Sequence, residues 1–167
     1  GGTIISENIR NILLDSKNDI SSETEMMLFL SARSQMTYEA IVPALEKDVF
    51  VICDRFADST LAYQGYGRGL NIDLIRSLNS FVTLGLIPQV TFYLNINATE
   101  SMDRRSDITQ DRMESEGHEF MNRVKGGYDQ IAKDHSDRIM IIDGSQRVDP
   151  ISEHIWKKLI QTYKELS

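Results

Sequence analysis

A single cysteine, Cys53, stands among 167 residues, so the sequence cannot close an internal disulfide. It lies in the apolar run Val49-Phe50-Val51-Ile52, where a small thiol is expected to be buried and unreactive. Histidine is scarce too: His118, His135 and His154 are scattered without the spacing of a metal site. Positive charge is in short supply, with 18 Lys and Arg against 25 Asp and Glu and a net charge of −7. Duplex binding needs clustered cations to displace counterions, so no nucleic-acid partner is expected. No apolar run reaches the roughly 18 residues of a membrane span, and no charged-then-apolar leader pattern is visible. These absences predict a cytoplasmic location without membrane contact. Repeats, linkers and low-complexity tracts are also missing. A chain with 41% hydrophobic residues suits one core, and a single domain over residues 1–167 is expected.

What is present alternates between strand and helix. Asp48–Asp54, Gln89–Asn95 and Arg138–Asp143 are near-continuous apolar runs, the pattern of strands covered on both faces. Ile5, Ile9, Ile12 and Leu13 mark a helical stripe within residues 3–15. A longer helix is expected from Ser22 towards Pro43, where Ser22-Glu-Thr-Glu25 has capping-box spacing. Further helices are predicted over 71–85, 114–134 and 150–165, the last burying Ile151, Ile155, Trp156, Leu159 and Ile160. The alternation predicts an α/β fold with a parallel sheet flanked by helices, its ligand crevice beyond the carboxyl ends of the strands. That rule selects Asp54-Arg55, Asn95-Ile96-Asn97 and Asp143-Gly144-Ser145.

Asp54-Arg55 could meet a metal ion and a phosphate there, since an arginine fork matches two phosphate oxygens; a strand-end salt bridge is the plain alternative. Ser59-Thr-Leu-Ala-Tyr-Gln-Gly-Tyr-Gly-Arg68 then packs hydroxyls, an amide, glycines and an arginine into ten residues. Phe29 and Arg33 lie four apart and share a helix face, although a helical Phe is commonly core. Arg104, Arg105 and Arg112 cluster in an acidic chain, which for a random protein reads as a solvated face.

The sequence Asp54-Arg55-Phe56, Ser59-Thr60, Ala62-Tyr63-Gln64-Gly65 and Gly67-Arg68 resembles the thymidylate kinase signature. The likeness extends upstream through Gly1-Gly2-Thr3 and Leu28-Phe29 to Arg33. Downstream it runs through Leu86-Ile87-Pro88, Asp111-Arg112-Met113-Glu114, Gly117, Phe120, Arg123-Val124 and Tyr128. It thus spans essentially the whole sequence. It implies the three-layer fold of the nucleoside monophosphate kinases, of P-loop NTPase type, and phosphoryl transfer from ATP to dTMP with Mg2+. It also implies a homodimer.

Position by position, the resemblance places Phe29 against the thymine ring and Arg33 on a thymine carbonyl. Such a contact would leave a cytosine amino group unpaired and so supply discrimination. Arg55 is implied to clamp the dTMP phosphate, Thr60 to meet the base near N3, and Tyr63 to crowd the 2′ carbon. Ser59, Gln64 and Tyr128 complete the expected pocket, and Asp54 acts through the magnesium and phosphate network. Residues 100–117 correspond to a lid whose arginines, Arg112 first and then Arg104 and Arg105, cover the transferred phosphoryl as in the bacterial subtype. Gln146, Arg147 and Val148, after Asp143-Gly144, correspond to a loop that packs on adenine, although Asp-Gly is also an ordinary turn.

One departure matters. Gly-x-x-x-x-Gly-Lys-Ser/Thr, whose backbone N–H groups and lysine hold ATP phosphates, occurs nowhere in the 167 residues. Gly1-Gly2-Thr3 falls inside a family motif, so the full protein is expected to carry the first strand and the phosphate loop ahead of it; a truncated, inactive product is the other possibility. The rival functions are another P-loop kinase of deoxynucleotides or deoxynucleosides, and a non-catalytic dTMP-binding fragment.

Overall fold

The computed structural model describes residues 2–97, 100, 112–113 and 116–163. Helix α1 (Ile4–Leu14) starts where the Thr3 hydroxyl accepts from the Ser6 amide, a side-chain cap for a donor the helix cannot pair. Helix α2 (Ser22–Met36) is capped by Ser21, whose side chain accepts from the Thr24 amide. The cap therefore falls one residue before the expected box, and Glu25 is released from capping to serve elsewhere. Beyond α2 the helical path widens into a π turn (Thr37–Ile41) and closes with the short α3 (Val42–Leu45).

Helix α4 (Ala57–Thr60) leads into a second π segment, Leu61–Gly67. Helix α5 (Ile72–Val82) follows, capped by Asn71 and ended by Leu84 and Gly85 at φ 55° and 75°. Strand β1 (Thr91–Asn95), helix α6 (Gly117–Asp134) and strand β2 (Ile139–Asp143) come next, and α7 (Val148–Thr162) closes the described chain.

β1 and β2 pair in parallel, in register from Thr91 opposite Ile139 to Asn95 opposite Asp143. Two of the three expected strands therefore form a ladder. The third run, Asp48–Asp54, has no ladder among the described residues, and Phe50 and Ile52 are 55% and 91% exposed. Its apolar, β-branched composition supplies the pattern of a strand, but a strand also needs a hydrogen-bonded neighbour, and no described segment pairs with it. Cys53 is exposed with it, contrary to the burial expected for its thiol.

The core gathers Met26 and Leu30 of α2, Leu61 and Ala62 of the second π segment, Ile75 of α5, Phe120, Val124 and Ile131 of α6, and Ile139 of β2. Two glycines set how closely the second π segment approaches α6. A Cβ on Gly67 would lie 2.8 Å from Phe120 and Val124 side-chain atoms, and one on Gly127 would lie 2.7 Å from Tyr66. Absent side chains at both crossing points let the two backbones pack directly. The expected faces of the outer helices hold less well. Of the α1 stripe only Leu13 is buried while Ile5 and Ile12 are exposed, and Trp156 of α7 is exposed as well. Periodicity marks the apolar side of a helix, and burial needs a surface to cover it.

Candidate functional site

The π segment carries the central residues of the site. Widening a helix by one residue per turn displaces side chains from their α positions, and here it turns Tyr63 and Gln64 to opposite tasks. Tyr63 packs edge-on against Tyr128 of α6, ring centroids 6.3 Å apart, and carries the Arg55 guanidinium 5.0 Å above its ring. Tyr128 in turn stacks on Tyr93 of β1 at 5.4 Å and lies 2.7 Å, hydroxyl to hydroxyl, from Ser59. Burial pushes the Tyr128 phenol up to about 12, with Arg55 and Ser59 pulling against it, so it stays protonated near neutrality. Arg55 itself sits at φ 67°. A non-glycine residue in the left-handed region is uncommon and is found where surrounding structure holds it for a purpose.

Arg33, on α2, is 8% exposed. Its Nη1 donates to Thr60 Oγ1 at 2.7 Å and to Asn79 Oδ1 at 2.9 Å, and its Nη2 donates to the Phe56 carbonyl at 2.9 Å. All three acceptors are neutral. Burial pulls this guanidinium down to about 10, with Asp58 the main opposing charge. Asp58, however, is gripped by both terminal nitrogens of Arg138, at 2.8 and 2.7 Å. Neither Arg33 nor Arg55 forms a salt bridge among the described residues. Two cations without paired carboxylates, ringed by hydroxyls and aromatic faces in a chain of net charge −7, make a local anion-seeking site.

The structure thus links Arg55, Tyr63, Tyr128 and Ser59 in one set of contacts and Arg33 with Thr60 in another, the two sets meeting at the neighbouring residues Ser59 and Thr60. Asp54 adjoins Arg55 and is exposed. Phe29 is half-buried against the core, one turn before Arg33. Gln64 joins neither set: it is 1% exposed, and its Nε2 donates to Glu25 at 3.0 Å.

Glu25 is the charged residue that sequence reasoning missed. Fully buried, it accepts from Gln64, from Nε and Nη2 of Arg68, and from Nη2 of Arg112, while Arg68 also pairs with Glu116. Burial raises the Glu25 carboxyl, but donation from Arg68, Gln64 and Arg112 outweighs it and holds the group below its ordinary value of 4.5. The available signal was its place at i, i+4 and i+8 with Phe29 and Arg33, which puts an acid on the inward face of α2. Arg112, expected on a lid over the phosphoryl group, is 9% exposed and donates to the Leu13 carbonyl at 2.8 Å as well as to Glu25. Arg104 and Arg105 lie outside the described residues.

At the carboxyl end of the sheet, Asp143 accepts from the Ser145 amide and hydroxyl at 3.0 and 2.6 Å. Gln146, Arg147 and Val148 follow, exposed, beside the end of β1, where the Gly144 amide donates to the Asn95 carbonyl at 2.9 Å. No group of three or more His, Cys, Asp or Glu side chains among the described residues is placed to cage a metal ion. No described helix is long and apolar enough to cross a membrane.

The model of the family described as thymidylate kinase matches residues 1–155. A thymidylate kinase of Kosmotoga olearia is 41% identical over 167 residues, covering 99% of this chain and 80% of its own length. One from Thermoanaerobacter sp. (strain X514) is 42% identical over 155 residues, covering 93% of this chain and 76% of its own. One from Caldanaerobacter subterraneus subsp. tengcongensis is 42% identical over 164 residues, covering 98% and 79%.

Proposed function

Since this chain belongs to the thymidylate kinase family, we propose that the protein transfers the γ-phosphoryl group of ATP to dTMP, giving dTDP and ADP. In that reaction an oxygen of the dTMP phosphate attacks the γ-phosphorus and the bond to the β-phosphate oxygen breaks. The observation that carries the reading is the pair Arg33 and Arg55, two guanidiniums without salt bridges among the described residues, in contact with Thr60 and with Tyr63, whose neighbour Tyr128 meets Ser59.

Arg55 is the phosphate clamp, its fork able to meet two oxygens at once. Arg33 and Thr60, already joined to each other, meet the pyrimidine edge, with Phe29 against its face. Tyr63, braced by Tyr128 and Phe120, closes the space a 2′-hydroxyl would need. Magnesium belongs to this reading: it binds through one or two carboxylates plus substrate phosphates rather than through a protein cage, and Asp54 is the carboxylate beside the phosphate clamp. Bound there, it would neutralise charge on the phosphate oxygens.

Charge on the transferred group is met by Arg104 and Arg105 in this reading, since Arg112 already donates to Glu25 and to the Leu13 carbonyl. Gln146, Arg147 and Val148 serve the adenine. The family implies a P-loop NTPase fold. A three-layer single domain with a 100–117 lid, a homodimer and a cytoplasmic location complete the proposal. The 167 residues hold no phosphate-loop motif, so the full-length protein is the one to assay. Steady-state phosphorylation of dTMP, dUMP, dCMP and dGMP is the test: dTMP is expected to give the highest kcat/KM, and dCMP as the best substrate would overturn the assignment.

A further inference from the structure

We propose that Asn79 is the positioning residue that aims the Arg33 guanidinium at the base, so that pyrimidine selectivity depends on a neutral side chain in a different helix. The inference rests on the dTMP reading above. Asn79 lies on α5, is 5% exposed and makes two oriented contacts. Its Oδ1 accepts from Arg33 Nη1 at 2.9 Å, and its Nδ2 donates to the Ala57 carbonyl at 3.2 Å. The amide has only one workable orientation. Reversed, it would set N–H groups against a guanidinium and an oxygen against a carbonyl oxygen.

Arg33 has five N–H groups. Asn79, Thr60 and the Phe56 carbonyl take three of them, leaving Nε–H and one Nη2 hydrogen without a protein acceptor among the described residues. The fork is thus fixed on one side, with two N–H groups uncommitted to described residues on the other. An acceptor carbonyl arriving there completes its hydrogen bonding, whereas an exocyclic amino group would meet donors with a donor.

Asparagine is the apt residue because it orients without neutralising. An aspartate at 79 would hold the arginine more tightly, but as a buried ion pair that competes with the ligand for the guanidinium. Asp58, the carboxylate that acts most on Arg33, is itself held by Arg138, so the charge of Arg33 is left for the nucleotide.

The test compares Asn79→Asp, Asn79→Ser and Arg33→Ala in the full-length protein, measuring kcat and KM for dTMP and dCMP, KM for ATP, and thermal midpoint. Asn79→Asp, whose second carboxylate oxygen would face the Ala57 carbonyl, is expected to melt lower than the parent and to lose dTMP-over-dCMP discrimination by about tenfold or more, through KM for dTMP with KM for ATP unchanged. A residue that merely stabilised the fold would not give that split. Asn79→Ser, too short to reach the guanidinium, is expected to lose discrimination likewise, and it decides the matter should the aspartate variant not fold. Discrimination within twofold of the parent in a folded Asn79 variant, with Arg33→Ala having lost it, would overturn the positioning role and leave the base reading standing. Discrimination retained by Arg33→Ala would overturn both.

Discussion

The hydroxyls of Ser59 and Tyr128 lie 2.7 Å apart, so α4 and α6, 69 residues distant in sequence, are joined at the edge of the proposed sugar site. Tyr128 also spaces Tyr63 from Tyr93 through its ring contacts. The bond therefore helps set where the wall of the pocket stands.

Tyr128→Phe keeps the rings and removes this bond. The expected loss of stability is small, about 1 kcal/mol for one partly buried hydrogen bond. KM for dTMP is expected to rise several-fold with kcat nearly unchanged. A parent-like KM would show that the hydroxyl pair has no part in holding the nucleotide.

Arg55→Lys preserves charge and removes the fork. Because a point charge cannot meet two phosphate oxygens in fixed geometry, kcat/KM for dTMP is expected to fall roughly 100-fold, a transition-state loss of about 2.7 kcal/mol. Steady-state kinetics decides, and a loss under about threefold would place the phosphate elsewhere.

Glu25→Gln leaves the Arg68 and Arg112 guanidiniums facing a neutral amide. Removing one partner of a buried ion pair costs about 3–5 kcal/mol, to be read from urea denaturation. Acid should reveal the same group in the parent protein. The folded-state value of Glu25 lies below its ordinary 4.5, so its contribution is complete above pH 4.5 and is lost as pH falls through the depressed value. The gap in stability between parent and Glu25→Gln should therefore narrow below pH 4.5. A gap independent of pH would mean that the carboxylate is not what holds the two arginines.

Gly67→Ala drives a methyl into Phe120 and Val124. Overpacking of this kind costs about 1–3 kcal/mol. Since Gly67 sits four residues after Tyr63, pushing the segment off α6 should also raise KM for dTMP. Calorimetry and kinetics together check it, and an unchanged thermal midpoint would contradict the close approach.

Much of this was legible beforehand because it depends on local pattern. β1 and β2 were readable as apolar runs and each has a neighbour, but the expected cover on both faces is not there, since Leu94 and Ile141 are 45% and 57% exposed. Asp48–Asp54 carries the same pattern and fails to form a ladder, since pairing is a relation between segments and leaves no trace in either one. The residues proposed to face dTMP could be singled out because they crowd into one stretch, 54–68, with Phe29 and Arg33 a helical turn apart. Asn79 was not found: it reaches Arg33 across 46 residues of sequence, and nothing in its own neighbourhood marks it. Glu25 was mistaken for a capping acid because two roles share one spacing, and only the position of Ser21 separates them.

The Glu25 network has a consequence for how this protein can change over generations. Glu25, Glu116, Arg68 and Arg112 are two charges of each sign linked around one buried carboxylate. Altering Glu25 or Arg112 alone strands a partner out of water, whereas exchanging the linked groups together for well-packed apolar ones carries no such penalty. Divergence at these positions is then a valley crossed in concert or not at all. A lineage that abandons the network should abandon it whole, so that the residues at 25, 68 and 112 inherit their fates jointly while the exposed face of α7 drifts one residue at a time.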